Sequence, residues 1–572
     1  MPNYFTENED LLFHFERLNL RETVQILEHN YDYATQYPGA PKDFDEAIRN
    51  YRSSLELTGD LAANFIAPKA EKVDLDGAKL KNGKVNYAQE TLESYGQLAR
   101  AGLTGVILPH KYGGINFPAT IYMMLIELVS RADASLMTLF GYQDVGEAIS
   151  KFGSPEVRER FLPPYTSGEH IGSMVMTEPG AGSDLQAIQL KACQDEDGQW
   201  RLNGVKQFIS NGCGDMLLVL ARSEAGSKDM FGLSLFVCPG GDKVQITHVE
   251  EKTGLHGSPT CQLYFDDAPC YLVGKRRQGL MHVLYVLNHA RFSVAAQALG
   301  MAEAAYREAL SYTKIRRQFG KLIYDMPPVA NMLIDMRVAI ESCRSLLYAG
   351  AQWLDLRNNL EEQAEILKKE GQNTEAIKAR FREAAKITDL LSPLTKYVVS
   401  EMAVKVCYDA QQLHGGMGYM REMAVERLAR DVRITTIYEG TSQIHIGACY
   451  KSVAGDVLKD FFEENESKSY PGELKVLADK MQEMRHLFLA LNALTRAHED
   501  SKFKEAAAKE SVDVYSYLYR GYLLLSEASQ NQRKRHIARR FIMQSLAAAH
   551  QSLQAVKNEQ FNDIGFAGII CR

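Results

Sequence analysis

One carboxylate in this chain stands where it could do chemistry. Glu439 lies in the run Thr435–Ile446 (TTIYEGTSQIHI), wedged between Tyr438 and Gly440. It follows the charged stretch Arg427–Arg433 and precedes a helix that Thr441 or Ser442 can cap. Gly440 carries no side chain, so a ligand can approach the backbone closely there. A carboxylate in a tight junction with an aromatic wall can take a proton from a substrate carbon. A first-turn Glu that only favours the helix dipole is the other reading, and the segment alone leaves both open.

Four further segments carry residue types suited to a large anionic or planar ligand. Met174–Leu185 (MVMTEPGAGSDL) holds Gly180 and Gly182 around Ala181, followed by Ser183, a turn whose N–H groups can approach a phosphate or a planar ring. The spacing fails the dinucleotide fingerprint, because Leu185 stands at the third glycine and a strand pattern follows. In Lys206–Gly214 (KQFISNGCG), Phe208 and Ser210 lie two apart and can flank a ring, although an isolated phenylalanine on a strand reads equally as core. Arg316–Gly320 (RRQFG) ends a long helical pattern with a basic fork suited to phosphate or to a solvated helix end. Gln411–Tyr419 (QQLHGGMGY) offers Gly415 and Gly416 for close approach to an anion, or a helix stop and turn.

The elements that must position these residues follow from periodicity. Residues 1 to 165 read as helical, for example over Phe44–Leu57, Tyr87–Ala101 and Ala119–Ser130. From Gly172 to Leu272 short alternating runs replace the helical pattern. Asp197-Gly198 and Asn203-Gly204 read as hairpin turns, and Leu217–Ala221 and Leu233–Val237 as strands. Helical spacing resumes over His282–Tyr312, Val329–Leu354 and Leu391–Leu413. The charged stretch Arg357–Lys386 reads as the solvated extension of two antiparallel helices. After the acidic stretch Glu463–Ser469 and Pro471, residues 473–572 read as a further helical module.

At 572 residues the chain is too long for one core, so several domains are expected. A net charge of −7 argues against a protein built as a whole to bind nucleic acid. The nine cysteines are scattered without a CxxC pair, which points to neither a zinc site nor a disulfide framework and fits a reducing compartment. The N-terminus carries Glu7, Glu9, Asp10 and Glu16 and matches neither a secretory signal nor a transit peptide. No apolar run reaches transmembrane length, and a soluble, cytoplasmic protein is expected.

Each motif is weak alone, but their order is specific: TEPGAGSD, FIS, RRQFG, QLHGGMGY and IYEGTSQI along a helical–β–helical chain. Over residues 80–455 the chain resembles the acyl-CoA dehydrogenase family. Its C-terminal module and the segment Glu251–Pro259 (EKTGLHGSP) resemble the larger bacterial branch that includes 3-(methylthio)propanoyl-CoA dehydrogenases. The resemblance implies an α+β multidomain fold: an N-terminal helical domain (1–168), a middle β-barrel-like domain (169–280), a C-terminal four-helix bundle (281–458) and an additional helical module (470–572). It implies FAD as cofactor, no metal, an acyl-CoA substrate, a trans-2-enoyl-CoA product, an electron-transferring flavoprotein as partner and a homodimer or homotetramer.

Residue by residue, the resemblance implies that Met174, Met176, Thr177, Gly182 and Ser183 lie along the flavin, with Thr177 near its hydrogen-bonding edge. Phe208 stands where a tryptophan is frequent and Ser210 where a threonine is. Arg316 and Gln318 match positions that reach a neighbouring subunit's FAD, and Gln412, Gly415 and Gly416 match the loop that meets its adenosine-diphosphate part. Thr441 and Gln443 match later FAD contacts. Glu439 matches the catalytic base, whose carboxyl burial should raise. Ser183, Asn288, Arg291, Tyr438 and Gly440 are implied on the substrate side, Asn288 at a position that is often acidic. One departure is Met326-Pro327, where the family commonly has a further aromatic or histidine and a glutamine.

Three other functions fit parts of the pattern. An acyl-CoA oxidase shares the fold and differs in its electron acceptor. A nucleic-acid-associated relative is suggested by the basic run Arg533–Arg540 (RKRHIARR), although its interleaved apolar residues favour a helix face packed on its own bundle. Membrane docking by the same module has only that cluster in support.

Overall fold

The protein is described from a computed structural model covering residues 1–563, 569 and 571. The last residues of the 470–572 module, 564–568, 570 and 572, lie outside the described residues. The chain divides into two compact units, residues 1–304 with 419–435, and residues 305–418 with 436–572.

The first unit opens with helices α1 (Glu9–Phe15), α2 (Arg21–Leu27), α3 (Phe44–Leu61) and α4 (Ala70–Asp76). A short hairpin, β1 (Lys79–Lys81) with β2 (Lys84–Asn86), follows, then α5 (Gln89–Arg100), α6 (Ala119–Ala132), α7 (Met137–Phe140), α8 (Gln143–Phe152) and α9 (Pro155–Thr166). The hairpin departs from the all-helical reading of this stretch. Its turn is Asn82-Gly83, both residues left-handed, the pair that a two-residue hairpin loop demands. The buried helix α6 is apolar nearly all round.

The middle strands are β3 (Gly172–Val175), β4 (Lys191–Gln194), β5 (Trp200–Ser210), β6 (Met216–Arg222), β7 (Leu233–Pro239), β8 (Val244–Val249) and β9 (Thr260–Val273). Strands β6, β4, β5, β9 and β7 pair in sequence, and β7 returns to β6, so the ring closes; β3 adds to β6 and β8 to β9. Closure leaves few free edges. Inward side chains such as Leu202, Leu217, Val219, Phe236, Leu263 and Phe265 fill the ring. The other face of β6 and β7 packs Leu218, Leu220, Leu235 and Val237 against Val145 and Ile149 of α8 and Val283 and Val286 of α10 (Gly279–Thr313).

Asp197-Gly198 turns between β4 and β5 as expected, with the Gly198 N–H donating to the Asp195 carbonyl. Asn203-Gly204 is no turn. β5 runs straight through it, and the β5–β9 register slips between Leu202 and Gly204. The pair carries a hairpin signature but sits in a bulge, because the paired strand β9 extends past it.

In the second unit, the hairpin β10 (Arg317–Gln318) with β11 (Lys321–Leu322) leads into α11 (Pro327–Lys369) and α12 (Glu375–His414), a long antiparallel pair whose far ends carry the charged stretch 357–386. After α13 (Ala424–Asp431), which belongs to the first unit, come α14 (Ser442–Ala454), α15 (Lys459–Ser467), α16 (Glu473–Ala497), α17 (Ser501–Ala506), α18 (Ala508–Gln530) and α19 (Gln532–Lys557). Part of the basic run of α19 packs on the bundle, while Arg535, His536 and Arg539 are exposed. Buried Glu341 of α11 takes Arg533 (2.6 Å) and Lys534 (3.1 Å), and Arg540 reaches Asp335 at 2.8 Å. Among the described residues no helix is long and apolar enough to cross a membrane.

Candidate active site

In the first unit, the strand that carries Met174 exits through Met176 and Thr177 into a four-residue turn. Glu178 and Ala181 exchange backbone hydrogen bonds around Pro179 and Gly180. Met174 and Met176 are buried, while Gly182 and Ser183 are exposed. A Cβ added at Gly180 or Gly182 would meet nothing within 4 Å, so the backbone there is open to a ligand.

The turn is anchored from behind. Lys206, fully buried in β5, donates from Nζ to the Met176 carbonyl (2.7 Å) and lies 3.0 Å from a Glu178 carboxylate oxygen. Glu178 also accepts from the N–H groups of Gln189 (2.7 Å) and Leu190 (2.9 Å). Burial pushes Lys206 down to about 8, against the pull of Glu178.

Phe208 is not a core residue. The β5–β9 register slips again between Lys206 and Ile209, Phe208 adopts a left-handed φ of 60°, and the residue is 58% exposed. That bulge breaks the alternation that would put Phe208 and Ser210 on one strand face. A bulky residue held in this conformation is strained and presented outward. Ser210 is half-buried, and its carbonyl accepts from the Ser173 hydroxyl at 2.7 Å. The Gln207 N–H donates to the Thr177 carbonyl, so the Phe208 bulge and the Thr177 turn lie side by side.

On α10, Arg291 donates from Nη1 to the Asn288 side-chain oxygen (3.3 Å), which brings the two expected substrate residues together one helical turn apart. Next to them His289 lies 2.9 Å from Glu147 of α8, which also accepts from the Tyr285 hydroxyl at 3.1 Å. Burial raises the Glu147 carboxyl, and His289 and Lys151 outweigh it to leave it below its ordinary value. The segment Glu251–Pro259 is tied to α4 and α13. His256 lies 2.9 Å from Asp74, Arg430 reaches Asp74 at 2.6 Å, and the Leu255 N–H donates to Asp431 at 2.6 Å.

In the second unit, Arg316 lies beyond the end of α10 rather than on it. The RRQFG motif forms the β10–β11 hairpin, with Phe319 and Gly320 both left-handed at its tip, and Arg316 and Gln318 are exposed. Gln412, Gly415 and Gly416 are exposed at the C-terminal end of α12, where Gly415 (φ 59°) caps the helix. A Cβ at Gly415 or Gly416 would also meet nothing within 4 Å.

Glu439 is not a first-turn residue of α14. Thr441 is the N-cap, its hydroxyl accepting from the Ile444 N–H, and Glu439 stands two residues before it. Glu439 (φ 54°) and Gly440 (φ 100°) form consecutive left-handed residues. For a glutamate this conformation is uncommon and persists only where surroundings hold it. Tyr438, Glu439 and Gly440 are each half-buried, and Gln443 is exposed. Buried Lys396 of α12 donates to the Gly440 carbonyl at 2.6 Å, and the Ser442 hydroxyl donates to Glu401 of the same helix. His445 packs under Gly440, where a Cβ would stand 3.0 Å from its ring.

Lys206, Glu178, Lys396 and Glu401 were not legible as site residues from motif spacing. A signal existed for Lys396. It is the one charge in the stretch Leu390–Ser400, which is otherwise uncharged and entirely buried. A lysine is seldom buried without a partner.

The descriptions "Acyl-CoA dehydrogenase, N-terminal domain", "middle domain" and "C-terminal domain" match residues 51–169, 173–268, and 277–387 with 373–454. The 3-methylmercaptopropionyl-CoA dehydrogenase of Ruegeria pomeroyi is 32% identical over 460 residues, 74% of each chain. The butyryl-CoA dehydrogenase structure from Megasphaera elsdenii is 30% identical with a TM-score of 0.60, over 70% of this chain and 97% of that one. An acyl-CoA dehydrogenase structure from Bacillus anthracis, 21% identical, shares the fold with a TM-score of 0.74 over 89% of this chain and 88% of that one, a coverage that extends beyond the three matched domains. A helical N-terminal domain, a closed middle β-domain and a helical C-terminal domain with extra helices, matched in order along the chain, make this protein a member of the acyl-CoA dehydrogenase family.

Proposed function

We propose that this FAD-dependent oxidoreductase removes the α-proton and β-hydride of an acyl-CoA thioester to give the trans-2-enoyl-CoA, with Glu439 as the base and an electron-transferring flavoprotein as electron acceptor. The observation that carries this reading is the conformation of Glu439. A carboxylate on a strained left-handed turn, held by side chains from α12, has the preorganisation a base needs and a helix-dipole partner does not.

An α-C–H beside a thioester is too weak an acid for an unaided carboxylate. Donors must polarise the carbonyl oxygen, and the backbone N–H of Glu439 is the donor we assign from this chain. FAD, when bound, supplies the acceptor for the β-hydride. The residues fit that cofactor. Gly182, Gly415 and Gly416 leave backbone uncovered, Phe208 offers an outward aromatic face, and Arg316 offers an exposed guanidinium for a phosphate. Thr177, Ser183, Ser210, Gln318, Gln412, Thr441 and Gln443 complete the proposed cofactor set with Met174 and Met176. Ser183, Asn288, Arg291, Tyr438 and Gly440 are the proposed substrate set. The division at 1–168, 169–280, 281–458 and 470–572 is kept as the proposed domain scheme.

The test is anaerobic bleaching of the flavin by a panel of acyl-CoA esters from propanoyl- to palmitoyl-CoA, with 3-(methylthio)propanoyl-CoA included. Rapid bleaching by at least one ester in the wild type, and its loss in Glu439→Gln, is expected. Bleaching of the variant at wild-type speed would overturn Glu439 as base. Electron transfer to a flavoprotein acceptor without rapid peroxide formation in air separates the dehydrogenase from an oxidase.

A further inference from the structure

We infer that Lys396 is a positioning residue for the base: its ammonium, buried within α12, holds the Gly440 carbonyl and so fixes the left-handed turn from which Glu439 presents its carboxylate. The inference rests on the assignment of Glu439 as base.

The turn has no strand ladder to hold it. It lies between the short helical segment Val432–Thr436 and the N-cap of α14, where backbone hydrogen bonds run out. Two consecutive left-handed residues, one of them a glutamate, would relax without external restraint. Side chains from outside the turn contribute to that restraint. Lys396 donates to the Gly440 carbonyl at 2.6 Å, Glu401 accepts from the Ser442 hydroxyl, and the His445 ring fills the space beneath Gly440. Lys396 and Glu401 sit five residues apart on the same helix and grip the turn on both sides of Thr441.

Lys396 donates to the backbone of the residue that follows Glu439. The carbonyl of Gly440 is one residue from the base and lies in the Gly440–Thr441 peptide, so holding it fixes the ψ of Gly440 and with it the left-handed turn that Glu439 enters. A charge-assisted hydrogen bond to a carbonyl is stronger than a neutral one. The ammonium itself is fully buried, which limits water as a substitute donor on the Lys396 side. Catalysis by a positioned base falls steeply when the reacting atoms are displaced by an ångström.

The test uses FAD-loaded Lys396→Met and Lys396→Gln proteins with the ester that bleaches the wild-type flavin fastest in the panel. Met removes the donor, and Gln keeps one on a side chain a bond too short to reach without movement. The limiting rate of flavin reduction should fall about 30-fold in Lys396→Met and about fivefold or more in Lys396→Gln. The ester concentration at half-saturation and the bound FAD should stay within about twofold, because a base displaced from the reacting carbon loses rate rather than ground-state binding. A role confined to folding would instead lower FAD content and stability without this split. Introducing Lys396→Met into Glu439→Gln should slow bleaching no further, since the two act through one proton transfer.

Wild-type rates in Lys396→Met, beside a slow Glu439→Gln, would overturn the role of Lys396 and leave Glu439 as base. Should Lys396→Met give no folded holoenzyme, a wild-type rate in Lys396→Gln overturns it equally. Fast bleaching in Glu439→Gln would remove both assignments together.

Discussion

Two loops of this protein, one in each compact unit, are held by the same device: a buried lysine donating to a backbone carbonyl. In the β-domain, Lys206 reaches the Met176 carbonyl at 2.7 Å. In the helical unit, Lys396 reaches the Gly440 carbonyl at 2.6 Å. The settings differ. Lys206 sits on a strand whose ladder already ties it to β9, shares its ammonium with the Glu178 carboxylate, and braces a turn that closes on itself through Glu178 and Ala181. Lys396 sits on a helix and braces a turn that makes no ladder. The β-domain loop is therefore a backbone structure reinforced by a charge, suited to displaying open N–H groups to a ligand. The Glu439 turn is shaped by side chains, so its geometry depends on individual residues.

The largest expected effect breaks the comparison at its reacting end. Glu439→Gln should retain FAD and acyl-CoA binding and lose at least about 10³-fold in the rate of flavin reduction, measured by anaerobic stopped flow.

The next contrasts the two lysines. Lys396→Met should lower the reduction rate while keeping the cofactor, whereas Lys206→Met should release the cofactor. Without its cation the buried Glu178 carboxylate is left on backbone donors alone. Destabilisation of about 3 kcal/mol in denaturant unfolding is expected, together with FAD bound about tenfold more weakly in equilibrium dialysis. A Lys206→Met protein that keeps FAD but reduces it slowly would erase the distinction between the loops.

Arg316→Ala tests a residue on neither loop. Arg316 lies on an exposed hairpin, and loss of a phosphate partner there should weaken FAD retention about three- to tenfold without altering stability. Light scattering on the same protein reads whether a dimer or tetramer depends on that hairpin. No change in FAD retention would place Arg316 outside the cofactor site.

The smallest effect concerns a buried carboxyl on α13. Burial lifts the Asp431 carboxyl to about 6, against the Leu255 N–H and Arg427, which pull it down. Its folded value stands above the ordinary carboxylate value of 3.8. The folded chain thus binds a proton the unfolded chain has released, and the contribution to stability is present below pH 3.8 and lost as pH rises through 6. Asp431→Asn should therefore show a smaller fall in Tm between pH 4 and pH 7 than the wild type. Parallel Tm profiles by calorimetry would rule this out.

What the sequence determined is what local pattern can carry. Helical spacing identified α3, α5, α6, α10, α11 and α12, alternation identified β6 and β7, and the ordered motifs identified the family, from whose resemblance Glu439 is proposed as the base. The basic run at 533–540 could be read in part, because the apolar residues between the charges leave one helix face for the bundle, where Arg533, Lys534 and Arg540 pair, while Arg535, His536 and Arg539 are exposed. Tertiary structure decided the rest. Asn203-Gly204 has the residues of a turn, but the register of β9 made it a bulge, and a second bulge turned Phe208 outward. The partners of Lys206 lie 28 and 30 residues upstream and that of Lys396 lies 44 residues downstream. No local period encodes such pairings. A lysine in an apolar stretch announces that it needs a partner, and only the packed chain determines which carbonyl or carboxylate is brought within reach.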